Sequence, residues 1–337
     1  MSRMCYTKKM KRIVLPFLLF ALMTALAACE SRGPQPVQAT AFAMDTVMTL
    51  TVYGDRGEEA VAESIQALNR LEGLFSVTRR DSDVARINAG GGGPVQVSRE
   101  TGEVLRMALE FWEETGGAFS PGLFSIQRGW GFTTGEFHIL EEEERLRLLD
   151  QIDVAGIEIE GQRAVVPPGT EVDFGAIAKG YAMDVLRDIM EEFAVESAIF
   201  SLGGEVFALG QRPGGGPWRI ALQNPQGEGY IGVIEVVDKT VSTSGSYERW
   251  FLAADGRRIH HILDPQSGKP VENGLISVTA VAREGARGDA LSTALFVMGL
   301  EEGLRFVEDA PDIEAIFVTE GGDIYVSSGL AENFVRL

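Results

Sequence analysis

Asp289 and Thr293 are the pair whose residue types and spacing point most directly to metal chemistry. They lie four residues apart at the start of an apolar helix predicted over about residues 287–298, so both side chains occupy one face of that helix. A carboxylate and a hydroxyl, together with a backbone carbonyl and waters, suit a hard cation such as Mg²⁺. The alternative is structural: Asp289 would stabilise the first turn through the helix dipole, and Thr293 would face the core.

A carboxylate and a lysine flank a turn of small residues in the segment Asp173-Phe-Gly-Ala-Ile-Ala-Lys-Gly-Tyr181. Glycine and alanine let the backbone approach a ligand closely and leave its N–H and C=O groups available. Lys179 lies near the N-terminus of a predicted helix, where the helix dipole disfavours a cation. A bound anion would account for this lysine, and an exposed lysine in a tight turn is the alternative.

Histidine is scarce, and two of the three histidines, His260 and His261, are adjacent. They precede the predicted turn Asp264-Pro-Gln-Ser-Gly268. Neighbouring side chains on a strand point to opposite faces, so at most one of the two histidines serves a given site. A neutral imidazole can act as a general base near pH 7. The alternative is a histidine with only a surface or packing role.

Two glycine-rich segments are weaker signals. Ser201-Leu-Gly-Gly-Glu205 follows an apolar strand and could admit a flat ring or a phosphate, although paired glycines are common in plain turns. Gly227-Glu-Gly-Tyr-Ile-Gly232 matches G-x-G-x-x-G, but a β-rich stretch follows where the dinucleotide motif needs a helix. A turn between two strands is therefore predicted. The chain has no H-E-x-x-H, C-x-x-C, Walker A or G-x-S-x-G motif, so the sites that these motifs build are not predicted.

The helices and strands predicted around these segments indicate an α+β fold. Because helices and strands do not alternate strictly, we expect a single large domain with antiparallel sheets and packed helices over residues 41–337. The helix predicted over 60–75 carries one polar interruption, Glu72, on its apolar face. Further helices are predicted from Ser98 and over about 141–149, 180–193, 287–298 and 301–307. Strands are predicted over about 46–53, 198–202, 218–222, 232–237, 249–253, 258–263, 276–282, 313–319 and 323–327.

The N-terminus is predicted to export and anchor the protein. An apolar run ending in Leu26-Ala-Ala-Cys29 follows four basic residues, Lys8, Lys9, Lys11 and Arg12. This order is typical of a secretory signal, and its end resembles a lipoprotein lipidation site at Cys29. Residues 1–28 are predicted to be a lipoprotein signal peptide and 29–40 a flexible tether. The protein would be lipid-anchored to the cell membrane on the extracytoplasmic, periplasmic side; an uncleaved anchor or a chance cysteine is the alternative.

Composition narrows the possible partners. With 30 basic and 49 acidic residues, the chain has a net charge of −19, and such a surface repels nucleic acid and anionic lipid headgroups. A phosphate substrate would therefore need a metal ion to offset its charge. The only cysteines are Cys5 and Cys29. Processing would remove Cys5 with the signal peptide and attach a lipid to Cys29, so stability must come from an ordinary core rather than from disulfides.

Taken in chain order, these segments resemble the ApbE family of FAD:protein FMN transferases. The resemblance includes Met44-Asp-Thr-Val-Met48, Asp81–Asn88 and Gly116–Gly122, and it ends at Gly299. It implies an ApbE-like fold, related to the T-fold, and a Mg²⁺-dependent enzyme. Such an enzyme transfers FMN from FAD to a Thr or Ser hydroxyl of a client protein and releases AMP. The family's clients are membrane respiratory or redox subunits, so a lipid anchor would hold the enzyme beside them.

The resemblance also implies roles for individual residues. His261 would be the general base. The metal ligands would be the backbone carbonyl of Ala176, Asp289 and Thr293, with Ser292 nearby. The FAD contacts would come from Met44, Phe75, Ala118, Phe119, Ser120, Asp173, Lys179 and Leu263. Gly288 departs from the family, which usually has alanine there, and should loosen the first helical turn slightly. The rival functions are an FAD pyrophosphatase, in which water replaces the hydroxyl, and a non-catalytic flavin-binding lipoprotein.

Overall fold

The structure, a computed structural model, describes residues 35–337, of which Pro36–Leu337 form one compact unit. The predicted signal peptide and Cys29 lie outside the described residues. The first strand begins at Val37, so residues 37–40 belong to the domain and not to the predicted tether. They do so because their backbone pairs with the strand that follows. No helix in this part of the chain is long and apolar enough to cross a membrane.

Strands and helices of the described part were numbered in chain order. The strands are β1 (Val37–Ala43), β2 (Thr46–Tyr53), β3 (Val95–Gln96), β4 (Glu158–Glu160), β5 (Arg163–Val165), β6 (Ser197–Leu202), β7 (Glu205–Leu209), β8 (Trp218–Gln223), β9 (Tyr230–Val236), β10 (Lys239–Gly245), β11 (Trp250–Leu252), β12 (Arg258–His260), β13 (Leu275–Ala282), β14 (Ile313–Thr319), β15 (Ile324–Val326) and β16 (Phe334–Arg336). The helices are α1 (Gly57–Phe75), α2 (Asp83–Asn88), α3 (Arg99–Glu114), α4 (Phe124–Gly129), α5 (Glu142–Asp150), α6 (Ala178–Glu192), α7 (Gly285–Met298) and α8 (Leu300–Asp309).

An eight-stranded sheet in the order β1-β2-β6-β7-β10-β13-β14-β15 is the centre of the fold. Every neighbouring pair in it is antiparallel. Three smaller sheets, β16-β9-β8, β3-β5-β4 and β11-β12, pack around it. The predicted α+β class with antiparallel sheets and packed helices is confirmed.

Both faces of the central strands are covered. Ala280 and Ala282 of β13 belong to the large core that also contains Ala286 and Ala290 of α7. Val281, between them, belongs to a second core with residues of β8 and β9. A strand that is buried on both faces has a nearly continuous apolar sequence, which is why β13 lacks the alternation of a half-exposed strand.

Glu72 accounts for the polar interruption on the apolar face of α1. Its Oε2 accepts a hydrogen bond of 2.7 Å from the backbone N–H of Met44. Met44 and Asp45 form the two-residue turn between β1 and β2, and both have positive φ angles, of 49° and 63°. This conformation suits a type I′ hairpin turn but costs a residue other than glycine about 1 kcal/mol or more. The hydrogen bond from Met44 to Glu72 offsets part of that cost.

Helices α6 and α7 cross at two glycines. A Cβ on Gly180 would lie 2.1 Å from the carbonyl oxygen of Gly285, and a Cβ on Gly285 would lie 2.2 Å from that of Gly180. The approach brings Asp184 of α6 to the N-terminus of α7, where its carboxylate accepts hydrogen bonds from Gly285 N (2.8 Å) and Ala286 N (2.9 Å). Asp184 therefore caps α7 from a neighbouring helix, and the contact fixes the two helices relative to each other.

The G-x-G-x-x-G match lies in a turn between two strands. Gly227 and Gly229 fall between β8 and β9, and Asn224 N donates a hydrogen bond of 3.0 Å to Gly229 O across the turn. The two strands then pair antiparallel. The prediction of a plain turn at this segment is confirmed.

Replacing Gly180 with alanine should separate α6 from α7, because the new Cβ has no space beside the Gly285 carbonyl. We expect the free energy of unfolding to fall by about 2–3 kcal/mol, as for other overpacked contacts. Gly73→Ala is the matched control, since Gly73 also lies inside a helix but a Cβ there meets nothing within 4 Å. It should stabilise the protein by about 0.5–1 kcal/mol. Urea denaturation measures both changes, and the same effect for both variants would contradict the crossing.

Candidate active site

Lys179 joins α6 to α7 and β7. Its Nζ lies 2.8 Å from Oε1 of Glu205 and 3.7 Å from Oδ1 of Asp289. It also donates a hydrogen bond of 3.4 Å to the carbonyl oxygen of Gly175. Glu205 and Asp289 are 4% and 3% exposed, so both carboxylates depend on protein partners. The sequence suggested a bound anion beside Lys179, and the structure places two protein carboxylates there.

Asp289 binds the N-terminus of α6. Its Oδ2 accepts a hydrogen bond of 3.0 Å from the backbone N–H of Gly180. Gly180 is the third residue of α6, so its N–H is one of the N-terminal groups that have no carbonyl partner within the helix. Among the described residues no backbone N–H donates to Ala176 O, so this carbonyl, two residues before the start of α6, is also available.

The predicted start of the helix that carries Asp289 was wrong by two residues. The helix α7 begins at Gly285, so Asp289 lies in its second turn. The dipole that Asp289 stabilises is therefore that of α6, and the structural alternative of a first-turn partner is excluded. The error arose because α7 is capped by Asp184 of another helix, which leaves no capping signal in the local sequence.

Three hydroxyl groups lie next to Asp289. Ser244 Oγ on β10 is 2.8 Å from Ser292 Oγ and 3.0 Å from Thr293 Oγ1. Ser292 also donates a hydrogen bond of 2.8 Å to the carbonyl oxygen of Asp289. Ser292 and Thr293 of the predicted metal-ligand set thus lie together within one turn of Asp289, with Ser244 as an additional member, and the inclusion of Ala176 stays a prediction. These oxygens are hard donors, of the kind that Mg²⁺ prefers.

The site has more buried carboxyl groups than cationic groups. Burial and the neighbouring Asp289 together raise the pKa of Glu205 to about 8, so near pH 7 this carboxyl holds a proton that offsets the excess negative charge. Burial also raises the pKa values of Asp173 and Glu248. For Lys179 burial favours the neutral amine, but Asp289 and Glu205 outweigh it and the pKa is raised, so the lysine stays charged. The described residues contain no group of three His, Cys, Asp or Glu arranged for a metal, so a cation here would rely on Asp289 and neutral oxygens.

The ring of His261 is held by the backbone of Arg249. Its Nδ1 is 3.2 Å from the carbonyl oxygen of Arg249, which also accepts a 3.1 Å hydrogen bond from the His261 N–H. A carbonyl oxygen only accepts, so Nδ1 carries the proton and Nε2 is the basic nitrogen. Burial, together with the charge of Arg249, lowers the pKa of His261 to about 4. The imidazole is therefore neutral near pH 7.

His260 has a different environment, as predicted for neighbours in an extended segment. Its ring is buried, with Nε2 2.9 Å from the carbonyl oxygen of Val271 and the ring edge-on to Phe296 at 5.9 Å between centroids. These contacts give His260 a packing role. Only His261 has a ring close to the charged groups of the site.

Four of the residues that the resemblance assigns to FAD lie on partly exposed connections: Met44, Ala118, Ser120 and Asp173. Met44 lies in the β1–β2 turn, whereas Ala118 and Ser120 follow α3. A hydrogen bond of 2.9 Å from Asp173 N to Pro121 O joins the loop after α3 to the segment that leads into α6. These connections therefore have exposed surface available for a ligand.

Phe75, Phe119 and Leu263 are buried instead. The ring of Phe75 packs edge-on against Phe174 at 5.5 Å, and that of Phe119 packs edge-on against Phe111 at 6.3 Å. Their side chains belong to the cores, so they support the site from behind. The FAD contacts assigned to these three residues stay predictions.

Sequence reasoning missed four residues of the site. Glu205 belongs to the segment Ser201–Glu205, in which it was given no role, and Ser244 lies on β10, where no strand was predicted. Glu248 and Arg249 come shortly after β10, and their charges act on Lys179 and Asp173 respectively. The signal for Glu205 was a carboxylate next to a buried strand, where an unpaired charge is costly. Nothing in the local sequence marked Ser244, because its role depends on the packing of α7 against β10.

The antiparallel α+β fold matches that of flavin transferases of known structure. The chain superposes on the ApbE protein from Thermotoga maritima with a TM-score of 0.82 and 34% identity, covering 88% of this chain and 98% of the other. It superposes on the flavinyl transferase ApbE from Pseudomonas stutzeri, in its apo form, with a TM-score of 0.79 and 30% identity. That alignment covers 90% of this chain and 99% of the other.

Sequence comparison gives the family. The model of the ApbE family matches residues 44–317. A relative from Klebsiella pneumoniae, named FAD:protein FMN transferase, is 36% identical over 296 residues, which cover 86% of this chain and 91% of the relative. The chain belongs to the ApbE family, and the resemblance in its motifs is confirmed.

The low pKa of His261 predicts a loss of stability in mild acid. Between pH 6.5 and about 4 the unfolded chain binds a proton at this histidine and the folded chain does not, so stability falls as the pH is lowered through that window. His261→Gln should therefore lose less stability than the wild type between pH 7 and pH 4.5 in urea denaturation. His138→Gln, at an exposed position, is the control. An unchanged pH dependence in His261→Gln would show that this ring titrates normally.

Proposed function

We propose that this protein transfers FMN from FAD to a Thr or Ser hydroxyl of a client protein, in a Mg²⁺-dependent reaction that releases AMP. The observation that carries the proposal is the contact between Asp289 and Gly180 N at the N-terminus of α6, together with the Ala176 carbonyl just before that helix, to which no backbone N–H of the described residues donates. A helix N-terminus is suited to the pyrophosphate of FAD. The names of the relatives, FAD:protein FMN transferase and flavinyl transferase, support the same reaction.

The donors around Asp289 fit a magnesium ion. A buried carboxylate, the carbonyl of Ala176 and the hydroxyls of Ser292 and Thr293 are hard oxygen ligands. The two buried carboxyl groups outnumber the one ammonium group, that of Lys179, so a bound cation would replace the proton that the raised pKa of Glu205 keeps there. When bound, Mg²⁺ offsets the charge of the pyrophosphate and polarises the phosphorus that is attacked.

His261 is placed to take a proton from the acceptor. Because the Arg249 carbonyl fixes Nδ1–H, Nε2 is free to accept the proton of the client hydroxyl. The hydroxyl oxygen then bonds to the phosphorus of the FMN moiety while the phosphoanhydride bond to AMP breaks. Lys179 stabilises the negative charge that develops on the phosphate oxygens. The proton leaves from His261 to solvent, so atoms and charge balance.

The proposal also states where in the cell the reaction takes place. The signal peptide is removed, a lipid is attached to Cys29, and the domain acts on membrane respiratory or redox subunits on the extracytoplasmic side. Residues 30–36 separate Cys29 from β1, and seven extended residues span at most about 25 Å. The domain would therefore stay close to the membrane that holds its clients, which raises its local concentration there.

Asp289→Asn and His261→Gln test the chemistry. The full chain in detergent is incubated with FAD, Mg²⁺ and a candidate client domain, and both AMP and in-gel flavin fluorescence of the client are measured. Asp289→Asn should abolish AMP release and also the thermal stabilisation by Mg²⁺ that we expect in the wild type. His261→Gln should slow transfer by about 10²-fold or more while FAD binding changes little. Asp188→Asn, on the exposed face of α6, is the control.

The rival functions give different results in the same assay. AMP release without labelling of the client would identify a pyrophosphatase, in which water replaces the hydroxyl. Binding of FAD without AMP would identify a flavin-binding lipoprotein. Full activity of Asp289→Asn would refute its assignment as a metal ligand.

Cys29→Ser tests the anchor. We expect the wild type in the membrane fraction, with a mass increased by lipid, and Cys29→Ser without that lipid. Fractionation and mass spectrometry of the protein expressed in a bacterial host measure both properties. Cys5→Ser is the control and should leave the lipid in place. A lipidated Cys29→Ser protein would show that the anchor is elsewhere.

A further inference from the structure

An aromatic surface lies beside His261 and has no role in the reaction proposed above. It consists of Phe132 and Phe137, in the loop after α4, and Phe251 on β11; we call it the aromatic platform. Phe132 is 6.3 Å from the His261 ring, 5.7 Å from Phe137 and 5.8 Å from Phe251, measured between ring centroids. Phe137 stacks on Phe251 at 5.2 Å with 16° between the ring planes. The rings therefore form a continuous path leading away from the general base.

The outer end of the platform is open to solvent. Phe137 is 47% exposed, and Ile139, two residues further on, is 39% exposed. Leaving large apolar side chains in water is unfavourable, and a contiguous group of them marks a surface that binds something. The platform adjoins the site, so its occupant has to be sought among the molecules that meet His261.

The loop that carries the platform is held in one conformation. Gly135 N donates a hydrogen bond of 2.9 Å to Gly131 O within the loop. At its base, Trp130 Nε1 donates one of 2.9 Å to the carbonyl oxygen of Gly268, in the turn that follows His261. A preformed surface loses little conformational entropy when a partner binds. The same contacts fix the platform relative to the general base.

We infer that the aromatic platform binds the acceptor segment of the client protein, through a large apolar side chain three to four residues from the modified hydroxyl. The inference rests on the proposed function, because a general base must lie within hydrogen-bond reach of the hydroxyl that it deprotonates. The client chain therefore passes His261. The ring-to-ring path from His261 through Phe132 to Phe137 is about 12 Å, which an extended chain covers in three to four residues.

The test uses the full chain in detergent with FAD, Mg²⁺ and a random decapeptide library that has one central Thr. Flavinylated peptides are sequenced by mass spectrometry, and AMP release without peptide is measured in parallel. The wild type should enrich large apolar residues three to four positions from the Thr. Phe137→Ser should remove the apolar enrichment and lower the labelling rate about tenfold, the size expected for an interface hot spot. Phe137→Leu should keep most of both.

Tyr325→Ser is the matched control, since Tyr325 is 40% exposed on β15, at an edge of the main sheet. It should change neither the enrichment nor the rate. Acceptor-free AMP release should keep its KM for FAD in Phe137→Ser. A raised KM there would show that the platform binds FAD and would overturn the inference. Unchanged labelling, with weaker flotation on phosphatidylglycerol vesicles, would overturn it in favour of a membrane contact.

The remaining outcomes separate this inference from the proposed function. AMP release without any labelled peptide, with labelling of the intact client domain retained, would refute the platform as a binding site for acceptor segments and leave the proposed transfer standing. Labelled peptides without apolar enrichment would do the same. Neither AMP nor labelled peptide would refute the proposed function, and the inference would fall with it.

Discussion

The hydrogen bond from the backbone N–H of Gly180 to Asp289 is the contact on which the rest of the site depends. It is 3.0 Å long, and it forms only because α6 and α7 cross at Gly180 and Gly285, where a side chain on either would meet backbone at about 2 Å. Asp289 satisfies an N–H at the start of α6 that has no partner within that helix. The close packing of α6 against α7 therefore determines how the oxygen donors of the site are arranged.

The excess of buried carboxyl groups over cationic groups is what suits this arrangement to a cation. Burial of the Glu205 and Asp289 carboxylates beside a single ammonium, that of Lys179, is unfavourable unless other groups compensate. The helix N-terminus compensates part of it, and a divalent cation would compensate the rest. On the other side of the site, the carbonyl of Arg249 fixes the ring of His261 and leaves Nε2 basic. The cation-binding part and the basic part are therefore held by different elements, α7 and the segments flanking the hairpin β11–β12.

Much of the fold was predictable because periodicity is a local property. The strands over 46–53 and 313–319 and the helix ending at Phe75 were predicted with the observed bounds or within a few residues of them. The strand β10 was missed, because Lys239–Gly245 is rich in Ser, Thr and Gly and has no apolar alternation. It is a strand because β7 and β13 pair with its two sides. The short strands β3, β4 and β5 were missed because two or three residues are too few to show a period.

The sequence alone determined which residue types the site contains and their order along the chain. The spacing of Asp289 and Thr293 placed them on one face of a helix, and the two adjacent histidines limited the base to one of them. Only the tertiary structure decided which partner each residue has. Lys179 pairs with Glu205, Ser244 binds the hydroxyls of α7, and Asp289 caps α6 instead of its own helix. These partners are distant in sequence and meet only through the glycine crossing and sheet pairing, which leave no pattern in the local sequence.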